Sequence, residues 1–257
     1  MGLITYKDDK YLTEGTHGSL LPSLIGYYRM FMIVYSNARL AKHAPYGAHE
    51  WEKASFSILQ ILEDVGVKFH IEGLEHVRDL DGPCVFIGNH MSTLETFLLP
   101  CLLLPYKHIT FVVKESLTTY PVFGPIMSAV DPITVTRTNP RKDLKDVMEK
   151  GNMELNEKGK SIIIFPQTTR SNTFDPEHFN SIGIKLAKRA NVPVIPIALK
   201  TNAWSNGSIL KDFGRIYPTR PVHFAFGKPM DVEGRGNDTH QAVIEFIQNK
   251  FKVWDTD

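Results

Sequence analysis

Short apolar runs alternate with amphipathic helical segments along the chain from Gly82 onward. The runs are rich in β-branched residues and predict strands at Cys84–Ile87, Ile109–Val113, Ile133–Val135, Ile162–Phe165, Val192–Leu199 and Val222–Phe226. Helical periodicity falls between or after them, at Ser92–Leu104, Lys142–Glu157, Ser181–Ala190 and Thr239–Val253. Strands that alternate with helices pack in layers around a mostly parallel sheet. The sequence therefore predicts an α/β fold: a layered domain around a largely parallel sheet flanked by helices.

Two helices are predicted before this domain, and the first is strongly apolar. It covers Leu20–Tyr35 and carries Arg29 in its middle. A spanning helix needs about 20 apolar residues, and a central Arg costs about 2.5–3.5 kcal/mol. The aromatic content and the Arg favour a helix in the membrane interface, with packing on its own domain as the alternative. With a second helix at His49–Asp64, we expect residues 1–65 to form a helical membrane-docking segment and residues 66–257 to form the α/β domain.

Charge and cysteine content narrow the classes of partner. The formal net charge of +1 gives no indication of a nucleic-acid partner. Cys84 and Cys101 lack metal-ligand spacing and lie in apolar surroundings, which is typical of reduced core cysteines and fits a cytoplasmic setting. A secretory signal peptide is not expected, because the first 15 residues have no apolar core and carry the charged residues Lys7, Asp8, Asp9, Lys10 and Glu14.

His90 is the first candidate for catalysis. It follows the predicted strand Cys84–Ile87 through Gly88-Asn89, so it lies at the edge of the sheet where functional groups gather. Glu95 comes five positions later. A carboxylate on one imidazole nitrogen fixes the tautomer and raises the basicity of the other nitrogen, which can then activate a hydroxyl. The same spacing recurs at His70, His76 and His240, so the lead-in from the strand and Ser92 as a helix cap distinguish His90.

A second polar loop, Phe165–Ser171, follows the strand at Ile162–Ile164. Arg170 offers a planar guanidinium suited to phosphate or carboxylate. An isolated Arg in such a turn is more often a surface residue, so the loop gains weight only together with the other motifs. Trp204, after the strand Val192–Leu199, either lines a pocket or packs in its loop.

Four blocks together resemble the glycerolipid acyltransferases, which include bacterial 1-acylglycerol-3-phosphate acyltransferases. Asn89–Glu95 is similar to their N-H-x-S-x-x-D block, and Phe165–Ser171 to their F-P-E-G-T-R-S block. The second block is represented by Lys114–Leu117, Pro121–Gly124 and Ile133–Arg137, and the final V-P-x-x-P block by Val192–Pro196. The blocks occur in family order over residues 84–199, which makes the resemblance specific.

The resemblance implies a role for each matching residue. His90 is similar to the family's general base, and Glu95 takes the place of the aspartate that orients it. Arg137 and Arg170 match positions that bind the phosphate of the acceptor, and Lys114 matches a basic residue near them. The remaining residues predicted to bind substrate are Gln167, Thr168, Thr169 and Ser171.

The resemblance also implies the reaction. The acceptor hydroxyl attacks the thioester of acyl-CoA or an acyl carrier protein directly, without an acyl-enzyme and without a metal or redox cofactor. Backbone N–H groups in the Pro166–Thr169 loop are expected to hold the oxyanion. The expected partners are a lysophospholipid, an acyl thioester and a membrane surface, with the protein peripheral or monotopic on the cytoplasmic face. The oligomeric state is not predicted.

Four departures from the family pattern leave the acceptor open. Glu95 replaces aspartate, Gln167 replaces glutamate and Thr168 replaces glycine. Phe179–Gly183 stands where the family has a lysine-bearing F-K-x-G, so a cationic contact to phosphate is missing. Lysophosphatidate, another lysophospholipid and a lyso-aminolipid are all compatible with this pattern.

Two other functions are alternatives to acyl transfer. A thioesterase or lipase would use water as the acceptor, but the chain has no G-x-S-x-G nucleophile elbow. A degenerate, non-catalytic family member would bind or carry lipid. The altered third block permits that reading, whereas the retained His90 and Glu95 argue for an enzyme.

Overall fold

A mixed sheet forms the centre of the protein. The computed structural model describes residues 10–15, 18–167, 169–208 and 211–256. Within these ranges the strands are β1 (Lys10–Leu12), β2 (Phe69–Glu72), β3 (Val85–Gly88), β4 (Ile109–Lys114), β5 (Ile133–Val135), β6 (Ser161–Ile164), β7 (Val194–Lys200) and β8 (Val222–Phe226). The α-helices are α1 (Pro22–His43), α2 (Ala48–Asp64), α3 (Glu75–Arg78), α4 (Leu94–Leu103), α5 (Gly124–Ala129), α6 (Pro140–Asn156), α7 (Ile182–Ala190) and α8 (Asn237–Trp254).

The order of the strands is β1-β2-β8-β7-β3-β6-β4-β5. The five strands from β7 to β5 in this order all run parallel to one another. β8 is antiparallel to β7, β2 is parallel to β8, and β1 is antiparallel to β2. The sheet is therefore largely parallel, as the sequence predicted, and β3 occupies its centre.

Side chains of the central strands alternate between two hydrophobic cores. Phe86 of β3 lies in the core shared with α1, α2 and α4, whereas Val85 and Ile87 lie in the core shared with α6, α7 and α8. β6 shows the same alternation, as expected when both faces of a sheet are covered. Helices thus flank both faces and leave the carboxyl edge of the parallel strands to the loops.

The two helices predicted at the N-terminus are present as α1 and α2, and both pack on the α/β domain. α1 buries Gly26, Met30 and Ala38, while the hydroxyl of Ser55 in α2 donates to the carbonyl of Phe97 in α4 at 2.6 Å. Strand β1, which the sequence did not predict, adds this segment to the edge of the sheet. The division of the chain at residue 65 stays a prediction.

The outer face of α1 is apolar and exposed. Leu24, Tyr28 and Phe31 have between 53% and 67% of their surface accessible. Arg29 forms an ion pair with Asp64 of α2, with 2.8 Å between Nη2 and Oδ2. None of the described helices combines the length and the apolar character that crossing a membrane requires.

Candidate active site

His90 leaves the sheet at the carboxyl end of β3, where Asn89 fixes the turn. The Asn89 amide donates to the carbonyl of Leu199 at 2.7 Å and accepts from the Leu199 N–H at 2.9 Å. Asn89 is 2% exposed, so both bonds form in a low-dielectric interior. These bonds join the ends of β3 and β7, and they set the position from which the His90 side chain projects.

The imidazole of His90 is held between a carboxylate and an aromatic ring. Its Nδ1 lies 2.9 Å from Oε1 of Glu95, and its ring stacks on Phe165 with centroids 4.5 Å apart and an interplanar angle of 7°. The His90 side chain is 16% exposed and that of Glu95 is fully buried. Because Glu95 engages Nδ1, the opposite nitrogen, Nε2, is the atom that can accept a proton from substrate.

Glu95 is held as an ion by several donors. Oε1 accepts from the backbone N–H groups of Met91 at 2.6 Å and Ser92 at 2.9 Å, and Oε2 accepts from the Thr201 hydroxyl at 2.6 Å. Burial alone raises the pKa of Glu95, but the hydrogen bond and charge of His90, with hydrogen bonds from Thr201 and Ser92, outweigh it and lower the pKa below its ordinary value. The carboxylate is therefore ionised at neutral pH and can orient His90.

The start of α4 differs in detail from the prediction. The cap residue is Thr93 rather than Ser92, and the helix begins at Leu94. The Ser92 hydroxyl still accepts from the Leu94 N–H at 3.1 Å, but it also lies 3.0 Å from Oε2 of Glu95. Ser92 thus serves the carboxylate as well as the helix end, because Glu95 turns back onto the first turn.

The Phe165–Ser171 loop holds the backbone of His90 from both sides. Oε1 of Gln167 accepts from the His90 N–H at 3.0 Å, and the Ser171 N–H donates to the His90 carbonyl at 3.0 Å. The side-chain amide oxygen of Gln167 therefore accepts the hydrogen bond from the His90 N–H. A glutamate at this position could accept the same bond through a carboxylate oxygen. Thr169 is exposed, and Thr168, predicted to bind substrate, lies outside the described residues.

Arg170 lies beside His90 but is engaged by protein groups. Its Nη2 is 2.7 Å from Oδ1 of Asp212, and Nη1 donates to the hydroxyl of Thr93. Asp212 belongs to a loop that ends in a bridge between Trp204 and Ile216. The indole N–H of Trp204 donates to the Asp212 carbonyl at 3.0 Å, which holds the backbone of the loop.

The same loop is tied to α1. The Tyr27 hydroxyl donates to the carbonyl of Gly214 at 2.5 Å, and the Ile216 N–H donates to the hydroxyl of Ser23 at 2.9 Å. Trp204 itself is 3% exposed and stacks on Phe97, with centroids 5.7 Å apart. Trp204 therefore packs within the fold, which is one of the two alternatives that the sequence left open. The loop itself connects α1 to the surroundings of Arg170.

Lys114 and Arg137 share the sheet edge with His90 but stand apart from it. Lys114 is the last residue of β4 and pairs in register with Val135 of β5. Arg137 follows Val135 by two residues. Both cations are exposed. β5 is three strands from β3, which corresponds to about 14 Å at ordinary strand spacing. The structure brings His90, Glu95, Gln167, Arg170 and Ser171 together, whereas Lys114 and Arg137 form the far end of the same edge.

The turn that carries Arg137 is held by a buried carboxylate. Asp143 of α6 accepts from the Thr136 N–H at 2.8 Å and from the Arg137 N–H at 2.7 Å. Arg137 has a φ of +61°, a conformation rare for a residue with a side chain. Burial raises the pKa of Asp143, but hydrogen bonds from Thr136 and Arg137 outweigh it and the pKa is lowered. Asp143 therefore holds this turn as an anion.

Thr201 and Asp212 are site residues that the motifs did not indicate. Thr201 directly follows β7, the neighbour of β3, so its position after a strand is a usable signal once the strand order is known. Asp212 lies within an irregular loop and has no such signal. Among the described residues no group of three or more His, Cys, Asp or Glu side chains is arranged to hold a metal. Cys84 and Cys101 are buried and unpaired.

Comparison with known proteins places this geometry in a family. A family profile described as Acyltransferase matches residues 68–200, just over half of the chain. A 1-acyl-sn-glycerol-3-phosphate acyltransferase of Pseudomonas aeruginosa is 32% identical over 190 residues, which cover 74% of this chain and 68% of that protein. A chloroplastic protein of the same name from Arabidopsis thaliana is 33% identical over 161 residues, 61% of this chain but only 44% of the plant protein.

A solved structure has the same fold. The 1-acyl-sn-glycerophosphate acyltransferase of Thermotoga maritima superposes with a TM-score of 0.67 at 17% identity, over 92% of this chain and 95% of that chain. The family resemblance carried by the four sequence blocks is confirmed, as is the prediction that the chain is of an O-acyltransferase type. On the profile match and the identity to the Pseudomonas protein, the chain belongs to the acyltransferase family.

Proposed function

We propose that this protein transfers a fatty acyl chain from a thioester to the free hydroxyl of a lysophospholipid, an acceptor built like 1-acylglycerol 3-phosphate. The contact of 2.9 Å between Nδ1 of His90 and Oε1 of Glu95, at the carboxyl edge of the sheet, carries the proposal. Relatives named 1-acyl-sn-glycerol-3-phosphate acyltransferases support the acceptor class. The donor is an acyl-CoA or an acyl carrier protein.

His90 acts as the general base. Nε2 accepts the proton of the acceptor hydroxyl as its oxygen bonds to the thioester carbonyl carbon. The carbon–sulfur bond then breaks, and the protonated imidazole returns the proton to the leaving thiolate. The exchange forms one ester and releases one thiol, so its balance needs neither an electron carrier nor a further co-reactant. Backbone N–H groups of the 166–169 loop remain our expectation for the oxyanion site.

Glu95 acts through His90 rather than on substrate. Its side chain is fully buried, so it cannot reach a bound lipid, and its negative charge stabilises the imidazolium that forms during attack. Phe165 keeps the imidazole plane fixed by stacking on it. Because both supports are in place in the folded protein, little reorganisation of the base accompanies the reaction.

We further propose that α1 docks the enzyme on the cytoplasmic face of a membrane. Its exposed apolar side chains include Leu24, Tyr28, Phe31 and Met32, and the exposed Leu20 and Leu21 directly precede it. A helix with an apolar exposed face can lie in the interface between headgroups and acyl chains, where that face is buried. The loop that joins α1 to Arg170 then puts the site close to the bilayer from which a lysolipid is drawn.

A transfer assay read by mass spectrometry tests the function. Wild type, His90→Ala and the control His178→Ala would each be mixed with an acyl-CoA pool, an acylated carrier protein and several lysolipids. His178 is matched because it also pairs with a carboxylate, Asp175 at 2.7 Å, but its side chain is 81% exposed. A diacyl product made by wild type and His178→Ala but reduced at least about 100-fold in His90→Ala is expected, in line with general-base losses of about 10²–10⁴.

Two results of this assay would contradict the proposal. Release of free fatty acid without a diacyl product would establish a hydrolase in place of a transferase. Activity of His90→Ala within tenfold of wild type would remove His90 as the base. Circular dichroism of all three proteins checks that the loss does not come from unfolding.

A further inference from the structure

The acceptor side of the site contains an anion of the protein itself. Asp212 lies 2.7 Å from Arg170 through Oδ1 and Nη2, and the two side chains are only 35% and 18% exposed. Arg170 is the guanidinium expected to bind the phosphate of the acceptor. The charge that a phosphate would find at this position is therefore already balanced by a carboxylate.

The ion pair lies next to the catalytic base. Thr93, three residues after His90, accepts from Nη1 of Arg170, and its hydroxyl lies 3.3 Å from Oδ1 of Asp212. Both contacts of the Asp212 carboxylate, with Arg170 and with Thr93, use Oδ1. Within the described part of the chain, Oδ2 of Asp212 takes part in no hydrogen bond, which leaves one carboxylate oxygen for a ligand.

The cations that the family resemblance assigns to the phosphate do not restore the neutralised charge at this pair. Asn180, which stands where the family pattern has a lysine, donates to the carbonyl of Pro166 and so supports the loop as a neutral group. Lys114 and Arg137 lie two and three strands away from β3 on the sheet edge. A phosphate monoester, which carries about 1.5 to 2 negative charges at neutral pH, would meet Asp212 as a like charge.

We propose that Asp212 is a specificity-determining residue that selects a lysophospholipid whose headgroup carries an ammonium ion as well as a phosphate. The phosphate diester bonds to Arg170, and the ammonium bonds to Oδ2 of Asp212. This inference rests on the proposed function, because it names the headgroup class for the same site. A headgroup with one negative and one positive charge explains two features of the site. It explains why a carboxylate pairs with Arg170, and why the family's lysine is absent.

The position of Asp212 is fixed by atoms other than its carboxylate. Its backbone carbonyl accepts from Trp204, the Ser205 N–H donates to the Arg215 carbonyl at 3.0 Å, and the Asn206 amide donates to the Met91 carbonyl at 3.0 Å. A change of the Asp212 side chain leaves all three bonds in place. Asp212→Asn is therefore expected to keep the loop and to alter only its charge.

The test compares three acceptors of identical acyl chain in wild type, Asp212→Asn and Asp212→Glu. They are lysophosphatidate, lysophosphatidylglycerol, and lysophosphatidylethanolamine, which alone carries an ammonium ion. Wild type is expected to have a kcat/KM at least about tenfold higher for the ethanolamine lipid than for either other lipid. Asp212→Asn should raise the KM for the ethanolamine lipid about tenfold and lower that for lysophosphatidate, with the donor KM unchanged. Asp212→Glu should keep the wild-type order.

The outcomes separate this inference from the proposed function. Acylation with lysophosphatidate ranked first in wild type, or an equal shift for all three acceptors in Asp212→Asn, would overturn the role of Asp212 and leave the transferase in place. Acylation of none of the acceptors by wild type would overturn both. The wild-type ranking is decisive by itself if Asp212→Asn does not fold.

Discussion

The hydroxyl of Thr201 donates a hydrogen bond of 2.6 Å to Oε2 of Glu95, across 106 residues of chain. Thr201 follows β7 and Glu95 lies in the first turn of α4, after β3. The two residues meet because β7 and β3 are neighbours in the sheet. The position of the carboxylate that orients His90 therefore depends on the register of two strands as well as on its own helix.

Thr201→Val should lower kcat about tenfold with little change in either KM. The valine is close in size but removes the hydroxyl donor, so Oε2 of the buried Glu95 loses one of the bonds that lower its pKa. Steady-state kinetics with both substrates would measure the effect. Thr201→Ser retains a hydroxyl and should recover most of the activity, and equal losses in both variants would contradict the role of this hydrogen bond.

Glu95→Gln should make unfolding less dependent on pH in the acid range. Because the folded state lowers the pKa of Glu95 from its ordinary value of 4.5, the ionised carboxylate stabilises the protein above that pH. This stabilisation is lost as pH falls through 4.5 and then through the lower folded value. Melting temperatures of wild type and Glu95→Gln from pH 7 to 3 should converge below 4.5, and a constant difference would show that Glu95 is not the group responsible.

Gln167→Leu should reduce both activity and stability, whereas Gln167→Glu should retain activity within a few-fold. The leucine leaves the His90 N–H without its acceptor, which costs about 1–3 kcal/mol for a buried donor. The glutamate keeps a carboxyl oxygen for that bond. Denaturant unfolding and turnover measured on the two variants would check the prediction. It would be wrong if both variants behaved alike.

The double variant Leu24→Ser, Phe31→Ser should bind vesicles at least about tenfold more weakly than wild type. The two side chains are 67% and 53% exposed on α1, and burying each in lipid is worth about 1.5–3 kcal/mol. Co-sedimentation with anionic phospholipid vesicles would measure the partition coefficient. Leu144→Ser is the control, because Leu144 is 40% exposed on α6, across the sheet from α1. Equal binding of all proteins would refute docking through α1.

The parallel part of the sheet could be predicted because its strands are rich in apolar and β-branched residues. β3 and β6 are buried on both faces, so nearly every residue is apolar and the run is visible. β2 has exposed His70 between two buried residues, and β1 has only three residues. These strands are defined by pairing with each other and with β8, which a short mixed pattern does not encode.

The residues of the candidate site likewise differ in whether the sequence predicts them. His90, Glu95 and Arg170 follow from local motifs, because each lies within a few residues of a strand end. Thr201 reaches Glu95 because β7 pairs with β3 in the sheet. Asp212 reaches Thr93 because its loop folds back against the start of α4. Such contacts depend on the order of the strands and on the path of the loop. Neither can be predicted from the spacing of residues in the sequence.

The distance in sequence between Arg170 and Asp212 also has a consequence for synthesis on the ribosome. At about 5–20 residues per second, the roughly 40 residues between them take about 2–8 s to make. During that interval Arg170 lacks Asp212, and Glu95 lacks Thr201 until residue 201 has been made. The loop that carries Asp212 and contacts α1 is made after His90, Glu95 and Arg170. A nascent chain arrested before this loop would hold the histidine and its glutamate in sequence without an assembled site, so the site is complete only after the chain has been made as far as Ile216.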